Sequence, residues 1–573
     1  MILVGQPTFD GTDERAERGL GAGLRLAGVL VLVFLALLPR LLGAGEATTM
    51  DEDEWMLRSA NFALSLSTGD WGGTYQSGHP GVVTMWITNL ALGRSRARGL
   101  LDDAPVGRIG QSKDFLPALH AARPVFAILS ALLAVACGLL ATRLFGWGPG
   151  LFAGVMLALD PFWSAISPVV GMDALLAGLI GSSLLSALVA FRTTARPVRS
   201  ENGWLGVEGT SPEEKTEHGS ADGRWVWALV SGCLAGLAML TKGTAVLLAP
   251  TLLLLALIEA WRAPRGATAW KPAARQVSVW AMAGIASLSI WPALLVDPVG
   301  TFVQTAEFVR DRGGHTGELQ QGLLFVPIAL TLRLGPATVL GVVFLGVFGA
   351  PRRWWRPIGS IVAFVLIFGL AVAMSRKEAD RYLLPVFPPL GVLAALGWWS
   401  ASRRLAAVLR VPRAVPLSIA LAGLLQIWPL LATSSDPLAA YNPLVGGADA
   451  AEASISVGWG EGLDEAGMFL ARQPDAERLV VGIWDDMLAN FEAHAPGRVV
   501  GIKFGARGSV RNPEALAQAN YYVDYIRPRQ QNLVPSQLLN RRPELVVSIN
   551  GLEYVRVYRL KPKGGSITYA PGE

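Results

Sequence analysis

Long blocks of apolar residues, separated by short polar or charged segments, occupy about the first three quarters of the chain. A helix that crosses a bilayer needs about 20 consecutive apolar residues, and a helix satisfies its own backbone hydrogen bonds in lipid. The pattern therefore predicts a mainly α, polytopic membrane protein with about eleven transmembrane helices. The predicted spans are residues 24–42, 120–140, 151–166, 173–191, 225–240, 244–260, 277–295, 323–348, 358–373, 383–399 and 415–431.

The first apolar block has a second interpretation, because Gly43, Ala44 and Gly45 follow it in the manner of a signal-peptide cleavage site. The block is long for a signal peptide, and Pro39 and Arg40 interrupt its end. Since many similar blocks follow, an uncleaved first helix is the simpler prediction.

The pattern changes near residue 433. Short runs with β character follow at 478–484, 498–502, 521–526, 545–549 and 554–560, after a helical stretch at 462–471. They predict a small α/β domain over residues 433–573. The predicted organisation is an N-terminal tail at 1–22, a transmembrane domain at 23–432 and this C-terminal domain. A first outer loop at 45–119 carries interfacial helices, and the polar segment 194–223 is a predicted flexible loop.

Composition agrees with a membrane protein. Hydrophobic residues make up 52% of the chain and charged residues only 16%, against roughly 25% charged in soluble domains. The net charge of +5 is spread between the apolar blocks, which argues for topology signals and against a nucleic-acid partner. Cys137 and Cys233 both fall inside apolar blocks, so neither a structural disulfide nor a zinc site is expected.

The distribution of Lys and Arg predicts the orientation. If the N-terminus is cytoplasmic, the alternate short loops that carry most of the cations are cytoplasmic too, as the positive-inside rule requires. The first outer loop breaks the rule, but long loops obey it poorly. The prediction is a multi-pass protein of the cytoplasmic (inner) membrane whose C-terminal domain is extracytoplasmic. The cations behind it are Arg143, Arg192, Arg196, Arg199, Arg262, Arg265, Lys271, Arg275, Arg352, Arg353, Arg356, Arg403, Arg404, Arg410 and Arg413.

Charged residues at the outer ends of the spans are the candidates for chemistry. Four carboxylates at residues 51–54 stand just beyond the first span, where they are a solvated run, a general base or metal ligands. Lys242 lies between two apolar runs and needs an anionic partner, such as a phosphate or Asp173. Lys377 and Arg381 sit at the mouth of the membrane domain, where they bind phosphate or snorkel from helix ends.

Four segments then match one superfamily in order. They are residues 51–86, with an acidic pair, an aromatic residue, Gly-Asp-Trp and a residue before Pro80; residues 167–173; residues 236–243; and residues 375–385. The chain resembles the GT-C glycosyltransferases that use polyprenyl-phosphate sugars, especially protein O-mannosyltransferases and the lipid A aminoarabinose transferase. His79 stands where the latter has Lys, and Trp55 where Tyr or Phe is usual. The match spans roughly residues 51–389 and leaves out the C-terminal domain.

The resemblance implies a GT-C architecture and a catalytic membrane domain. It implies transfer of a sugar, with inversion, from a polyprenyl-phosphate donor to protein Ser/Thr, a cell-surface glycan or a glycolipid on the outer face. Asp51 is the expected base, with Glu52 or Asp173 stabilising the oxocarbenium-like transition state. The expected phosphate ligands are Lys242, Lys377, Arg381 and Tyr382, and the expected substrate contacts are Trp55, His79 and His315.

No cofactor is predicted, and a required metal is not expected. His79 with Asp53 or Glu54 could bind a divalent metal, but no ligand set is fixed by the sequence. His315 lies in a Gly-rich loop that either folds over the donor phosphate or only connects two spans.

Two other functions remain open at this level. A transporter or flippase of a lipid-linked substrate would show paired repeats and charges at mid-membrane, whereas here no repeat is evident and the charges cluster at the outer ends of spans. A membrane-anchored binding protein would use its C-terminal domain, where Trp459–Gly462 and Tyr521-Tyr522 either bind glycan or pack.

Overall fold

The structure is a computed structural model that describes residues 21–43, 45, 47–102, 108–191, 224–262, 270–313, 321–375, 377–410, 413–505, 508–538 and 540–561. The predicted N-terminal tail (apart from its last residues), the predicted flexible loop and His315 lie outside these residues.

Helices make up nearly all of the membrane domain. In chain order they are α1 (Ala22–Leu42), α2 (Glu52–Thr68), α3 (Val82–Asp102), α4 (Phe115–Phe145), α5 (Trp147–Ala158), α6 (Pro161–Ile166), α7 (Asp173–Ala190), α8 (Arg224–Thr241), α9 (Leu248–Arg262), α10 (Lys271–Ser287), α11 (Pro292–Val296), α12 (Pro298–Gly313), α13 (Phe325–Arg333), α14 (Pro336–Phe348), α15 (Trp355–Met374), α16 (Phe387–Leu409) and α17 (Ala414–Ala432).

Eight helices in the described residues are long and apolar enough to cross a membrane, and one bent pair brings the number to nine. The shorter helices α5 and α10 lie in two further predicted spans, so every one of the predicted apolar blocks contains a helix. The chain is a multi-pass, mainly α membrane protein, as the sequence predicts.

Two predicted spans are broken. The block at 323–348 is a helix pair, α13 and α14, bent by 116° around Gly335 and Pro336. The block at 151–166 is interrupted before Pro161, where the Asp160 side chain accepts from the backbone N–H of Trp163 at 2.9 Å and caps α6. Proline cannot donate a backbone hydrogen bond and disfavours helix in the residue before it, so both breaks fall where the chain enters a proline.

Arg40 satisfies backbone carbonyls that the break before Pro161 leaves free. Its guanidinium donates to the backbone oxygens of Ala158 at 2.8 Å and Leu157 at 3.2 Å, and to the hydroxyl of Ser167 at 3.1 Å. A fully buried cation in a membrane domain is costly unless its donors are paired. Arg40 therefore joins α1 to the C-terminal end of α5.

The first outer loop contains two helices that pack on each other, α2 and α3. Their apolar residues form one cluster with the start of α4, including Trp55, Phe62, Met85 and Phe115. This cluster fixes the start of α2, and with it the acidic run, against the membrane domain.

The C-terminal domain is a five-stranded mixed sheet with short helices. The strands are β1 (Val480–Trp484), β2 (Arg498–Ile502), β3 (Tyr521–Tyr525), β4 (Leu545–Ile549) and β5 (Leu552–Arg559), in the order β2-β1-β3-β5-β4. The pairs of β1 with β2 and β3 are parallel, and those of β5 with β3 and β4 are antiparallel. Helices α18 (Gly447–Ser454), α19 (Leu463–Ala471), α20 (Leu488–Glu492), α21 (Pro513–Gln518) and α22 (Ile526–Gln530) complete it. All five predicted strands are confirmed.

Polar contacts dock this domain on the membrane domain. Glu492 is buried and pairs with Arg108, and it also accepts from the Gln111 side chain at 3.2 Å. The backbone N–H of Asn442 donates to the carbonyl of Leu332 at 2.8 Å. The C-terminal domain consequently sits over the ends of the membrane helices.

Candidate active site

A cavity of about 200 Å³ lies where the first outer loop, the ends of several membrane helices and the C-terminal domain meet. It is lined by Asp51, Glu54, Trp55, Arg58, His79, Ile166, Val169, Gly171, Met172, Asp173, Ala174, Lys242, Phe308, Lys377, Arg381, Tyr382 and Trp459. Eight of the ten predicted site residues are in this set. The exceptions are Glu52, which is buried elsewhere, and His315, which lies outside the described residues.

Charges of alternating sign form a chain along the cavity wall. Lys242 Nζ is 2.7 Å from Asp173 Oδ1, and Arg381 Nε is 3.6 Å from Asp173 Oδ2. Arg381 Nη2 is 3.1 Å from Asp51 Oδ2. Each carboxylate is thus matched by a cation, which is how charges are tolerated near a low-dielectric interior.

Chain breaks at helix ends bring these residues together. Asp51 immediately precedes α2, and Asp173 is the first residue of α7. Lys242 follows α8 in an extended conformation, and Arg381 lies in a 3₁₀ helix at Asp380–Val386. The amino ends of helices carry partial positive charge and favour carboxylates, so the positions of Asp51 and Asp173 suit their charge.

Tyr382 supports the two inner cations. Its ring centroid is 4.2 Å from Lys242 Nζ and 5.6 Å from the guanidinium carbon of Arg381. An aromatic face attracts a cation within about 6 Å. The ring of Tyr382 therefore acts on the two cations, and its role as a phosphate ligand stays a prediction.

Lys377 differs from the other cations of the cavity. Lys242 and Arg381 are paired as above, and Arg58 pairs with Glu54 at 2.5 Å. Lys377 makes no ion pair with any carboxylate in the described part of the chain. Its charge is available to an anion that enters the cavity.

His79 lines the cavity as a neutral side chain. Its ring packs edge-on against Phe308 with centroids 4.9 Å apart. Burial, together with the nearby positive charges of Lys242 and Lys377, lowers the pKa of His79 to about 3. His79 can hence exchange hydrogen bonds with a polar substrate near neutral pH, but it supplies no charge.

Trp55 forms an aromatic wall that depends on a glycine. Its ring is 2% exposed and lies 4.8 Å from the guanidinium carbon of Arg58. Gly81 has φ of +59°, and a Cβ there would be 2.1 Å from the Trp55 ring. The glycine after Pro80 is therefore required by conformation and by the close approach of Trp55.

Glu52 does not line the cavity, although its neighbour Asp51 does. Its carboxylate is fully buried and accepts from Arg123 at 3.0 Å and 2.6 Å and from the backbone N–H groups of Thr49 and Val170 at 2.9 Å and 3.0 Å. The structure therefore does not place Glu52 beside the other predicted catalytic residues, Asp51 and Asp173. These four hydrogen bonds leave little capacity for a substrate, and they tie the outer loop to the segment before α7.

The described residues contain no cluster of side chains that could bind a metal ion. No three His, Cys, Asp or Glu side chains lie close enough together to hold an ion in the ranges that the structure describes. Burial, with the negative charges of Glu54 and Asp51, raises the pKa of Asp53 to about 7, and Asp53 is not among the cavity residues.

Nine of the seventeen lining residues were not assigned to the site from the sequence, among them Arg58, Phe308 and Trp459. Arg58 was detectable in principle, because its spacing from Glu54 places both on one face of α2. Phe308 and Trp459 reach the cavity from distant parts of the chain, and no local pattern marks them.

Comparisons with known proteins bear on the fold. No protein-family model and no curated protein matches the chain. The crystal structure of the apo lipid A aminoarabinose transferase ArnT from Cupriavidus metallidurans is similar, with a TM-score of 0.50 and 14% identity. The match covers 92% of this chain and 97% of that one.

A second solved structure is the apo oligosaccharyltransferase of Archaeoglobus fulgidus. Its TM-score is 0.46 at 14% identity, covering 89% of this chain and 71% of that one, too low a score to assign a fold. The similarity to ArnT extends over nearly the whole of both chains. The chain therefore has the same fold as ArnT.

Proposed function

We propose that this protein is a membrane glycosyltransferase that moves a sugar from a polyprenyl-phosphate donor to an acceptor, with inversion at the anomeric carbon. The observation that carries the proposal is the cavity at the membrane domain's edge. There, paired carboxylates and cations stand beside Lys377, which has no carboxylate partner within the described ranges. The GT-C fold supports it.

In this proposal, three cations of the cavity bind the donor phosphate. Among the described residues, the ammonium of Lys377 has no carboxylate partner, and the buried Nε of Arg381 makes no hydrogen bond. Arg binds phosphate oxygens through directed N–H groups, whereas Lys acts as a compact charge. Lys242 lies beside them, so a phosphate in the cavity meets three cations while its polyprenyl chain remains in the bilayer.

Asp51 is better placed than Asp173 to act as base. Its side chain is 34% exposed, against 9% for Asp173, and in the described part of the chain it contacts one cation where Asp173 contacts two. Asp51 takes the proton of the acceptor hydroxyl as the acceptor oxygen bonds to the anomeric carbon. The bond from that carbon to the phosphate oxygen breaks, and polyprenyl phosphate leaves with the electron pair.

Asp173 and Glu52 have supporting roles in this proposal. Asp173 holds Lys242 and Arg381 in place and puts negative charge near the developing oxocarbenium character. Glu52 positions the loop that carries Asp51, through its buried pair with Arg123.

The acceptor is protein Ser/Thr, a cell-surface glycan or a glycolipid, on the outer face of the cytoplasmic membrane. Trp55 and His79 provide an aromatic wall and a neutral hydrogen-bonding group for the sugar. In this arrangement residues 23–432 form the catalytic domain, the N-terminus is cytoplasmic, and residues 433–573 are extracytoplasmic.

A membrane assay tests the proposal. The protein, reconstituted in vesicles, is given several radiolabelled polyprenyl-phosphate sugars together with extracts of lipid, glycan and protein. Label should pass into one acceptor class, with release of polyprenyl phosphate. Movement of intact donor across the bilayer without transfer would contradict the proposal and favour a flippase.

A further inference from the structure

A loop of the C-terminal domain, residues 458–462, reaches the cavity of the membrane domain. Trp459 of this loop is among the lining residues, and its ring centroid is 4.5 Å from the guanidinium carbon of Arg381. This is a shorter distance than the 5.6 Å from Arg381 to the ring of Tyr382. The indole therefore provides the closer aromatic face for the guanidinium.

The loop has a fixed conformation. Gly458, Gly460 and Gly462 have φ of +91°, +133° and +77°, a region that side chains rarely adopt. A Cβ on Gly460 would lie 2.0 Å from the carbonyl oxygen of Thr48, so the loop also presses closely on the first outer loop. Any residue with a side chain at position 460 would have to displace either this loop or the segment at Thr48.

A buried carboxylate holds the loop from inside its own domain. Glu461 is 3% exposed and accepts from the hydroxyl of Tyr525 at 2.9 Å and from the backbone N–H of Trp459 at 2.5 Å. The same hydroxyl accepts from the backbone N–H of Gly460 at 2.7 Å. Strand β3, which ends at Tyr525, thus sets the position of the Trp459 backbone.

The loop also holds the chain next to the candidate base. The backbone N–H of Met50 donates to the carbonyl of Trp459 at 3.1 Å, one residue before Asp51. One residue of the C-terminal domain consequently contacts the segments that carry both Asp51 and Arg381.

The orientation of the Arg381 guanidinium is weakly determined by its other contacts. Its only side-chain hydrogen bond in the described residues is a long one of 3.5 Å to Asp51, and its Nε makes none. Ion pairs at 3.1 Å and 3.6 Å supply attraction but do not fix the plane of the guanidinium. An aromatic face next to the guanidinium restricts the orientations that the guanidinium can adopt.

We propose that the C-terminal domain completes the active site, with Trp459 as the positioning residue that orients Arg381 between Asp51 and Asp173. This inference rests on the proposed function, because it assigns the oriented Nε of Arg381 to the donor phosphate. It gives the C-terminal domain a role in donor capture that is separate from binding glycan.

The test measures binding of polyprenyl monophosphate to the full-length protein in lipid nanodiscs. Trp459→Leu should weaken binding about tenfold, the size of a desolvated cation–π contact. Trp459→Phe keeps an aromatic face and should stay within about threefold of wild type. Trp484→Leu is the matched control, since Trp484 is the domain's other tryptophan and does not line the cavity.

A double-mutant cycle separates positioning from general damage. In an Arg381→Ala background, Trp459→Leu should change binding by less than about twofold, because its target is gone. Wild-type binding by Trp459→Leu, equal loss in Trp459→Phe, or fully additive losses in the cycle would overturn the inference alone. Failure of the wild-type protein to bind polyprenyl monophosphate would overturn the proposed function and the inference with it.

Discussion

At the scale of single residues, the site depends on which side chains of a short run face the cavity. Asp51 and Glu52 are neighbours, yet Asp51 lines the cavity and Glu52 is buried against Arg123. Adjacent residues at the start of a helix point about 100° apart, and the sequence does not state which direction is the cavity. Residue types and motif order were therefore enough to predict eight of the cavity residues, but not to separate Asp51 from Glu52.

Glu52→Gln should reduce stability far more than it changes chemistry. The substitution leaves the buried guanidinium of Arg123 without its anion, and breaking a buried pair costs about 3–5 kcal/mol. We expect a lower thermal midpoint in detergent and, for the protein that remains folded, near-native donor binding. A folded Glu52→Gln protein of unchanged stability with abolished turnover would instead show that Glu52 acts directly.

Asp53 should make stability decline as pH rises. Its folded-state pKa is about 7 against an ordinary 3.8, so the folded form retains a proton that the unfolded chain has lost. The stabilisation is complete below about pH 4 and is lost as pH rises through about 7. Asp53→Asn should gain thermal stability over wild type as pH goes from 5 to 8, measured by thermal unfolding.

His79→Gln is the control for this experiment, because its effect has the opposite sign. The pKa of folded His79 is about 3 against an ordinary 6.5, so stability is lost as pH falls below about 6.5. His79→Gln should gain on wild type only at acidic pH. If Asp53→Asn shows the same pH dependence as wild type, Asp53 does not titrate near neutrality.

At the scale of elements, the hydrophobic pattern predicted where helices lie but not where they break. The blocks at 151–166 and 323–348 each meet a proline, but a proline can kink a span or end it. Which outcome occurs depends on tertiary partners such as Arg40, which satisfies the carbonyls of Leu157 and Ala158. The strands of the C-terminal domain were easier to predict, because β-rich runs between turns are a local signal.

Gly81→Ala tests how the outer loop shapes the cavity. The methyl group would meet the ring of Trp55 at 2.1 Å and force a positive φ on alanine, which we expect to cost about 1–3 kcal/mol or more. Trp55 should move, lowering the thermal midpoint and weakening substrate use. Gly69→Ala is matched for backbone strain, with φ of +75° and no neighbour within 4 Å, and should cost less. Equal effects of both variants would show that Trp55 is not displaced.

At the scale of the whole molecule, the site belongs to two domains that meet through residues far apart in sequence. Arg108 and Glu492 are 384 residues apart, and Trp459 reaches the cavity from beyond the last membrane helix. No periodicity in the sequence predicts such contacts, because they depend on how the folded domains dock. The site was accordingly predictable from the membrane domain's motifs, while the contribution of the C-terminal domain was not.

The docking of the C-terminal domain over the site links the membrane topology to the location of the site. The proposed site lies on the side of the membrane where the C-terminal domain docks, and the Lys and Arg distribution predicts that this side is outside. A reporter that works only outside the cytoplasm should be active when fused after Ala432. A reporter fused there that is active only in the cytoplasm would contradict both the orientation and the outer-face site.

The measurement that tests the account most directly is the turnover of Asp51→Asn. The amide keeps the size of the side chain but cannot take the acceptor's proton, and loss of a general base costs about 10²–10⁴ in rate. We expect that loss in sugar transfer by the reconstituted protein, with a far smaller change in the binding of polyprenyl phosphate. Glu54→Gln, a cavity carboxylate paired with Arg58, should retain turnover. Near-native transfer by Asp51→Asn would contradict the assignment of the base, and near-native transfer by Asp173→Asn as well would contradict the mechanism.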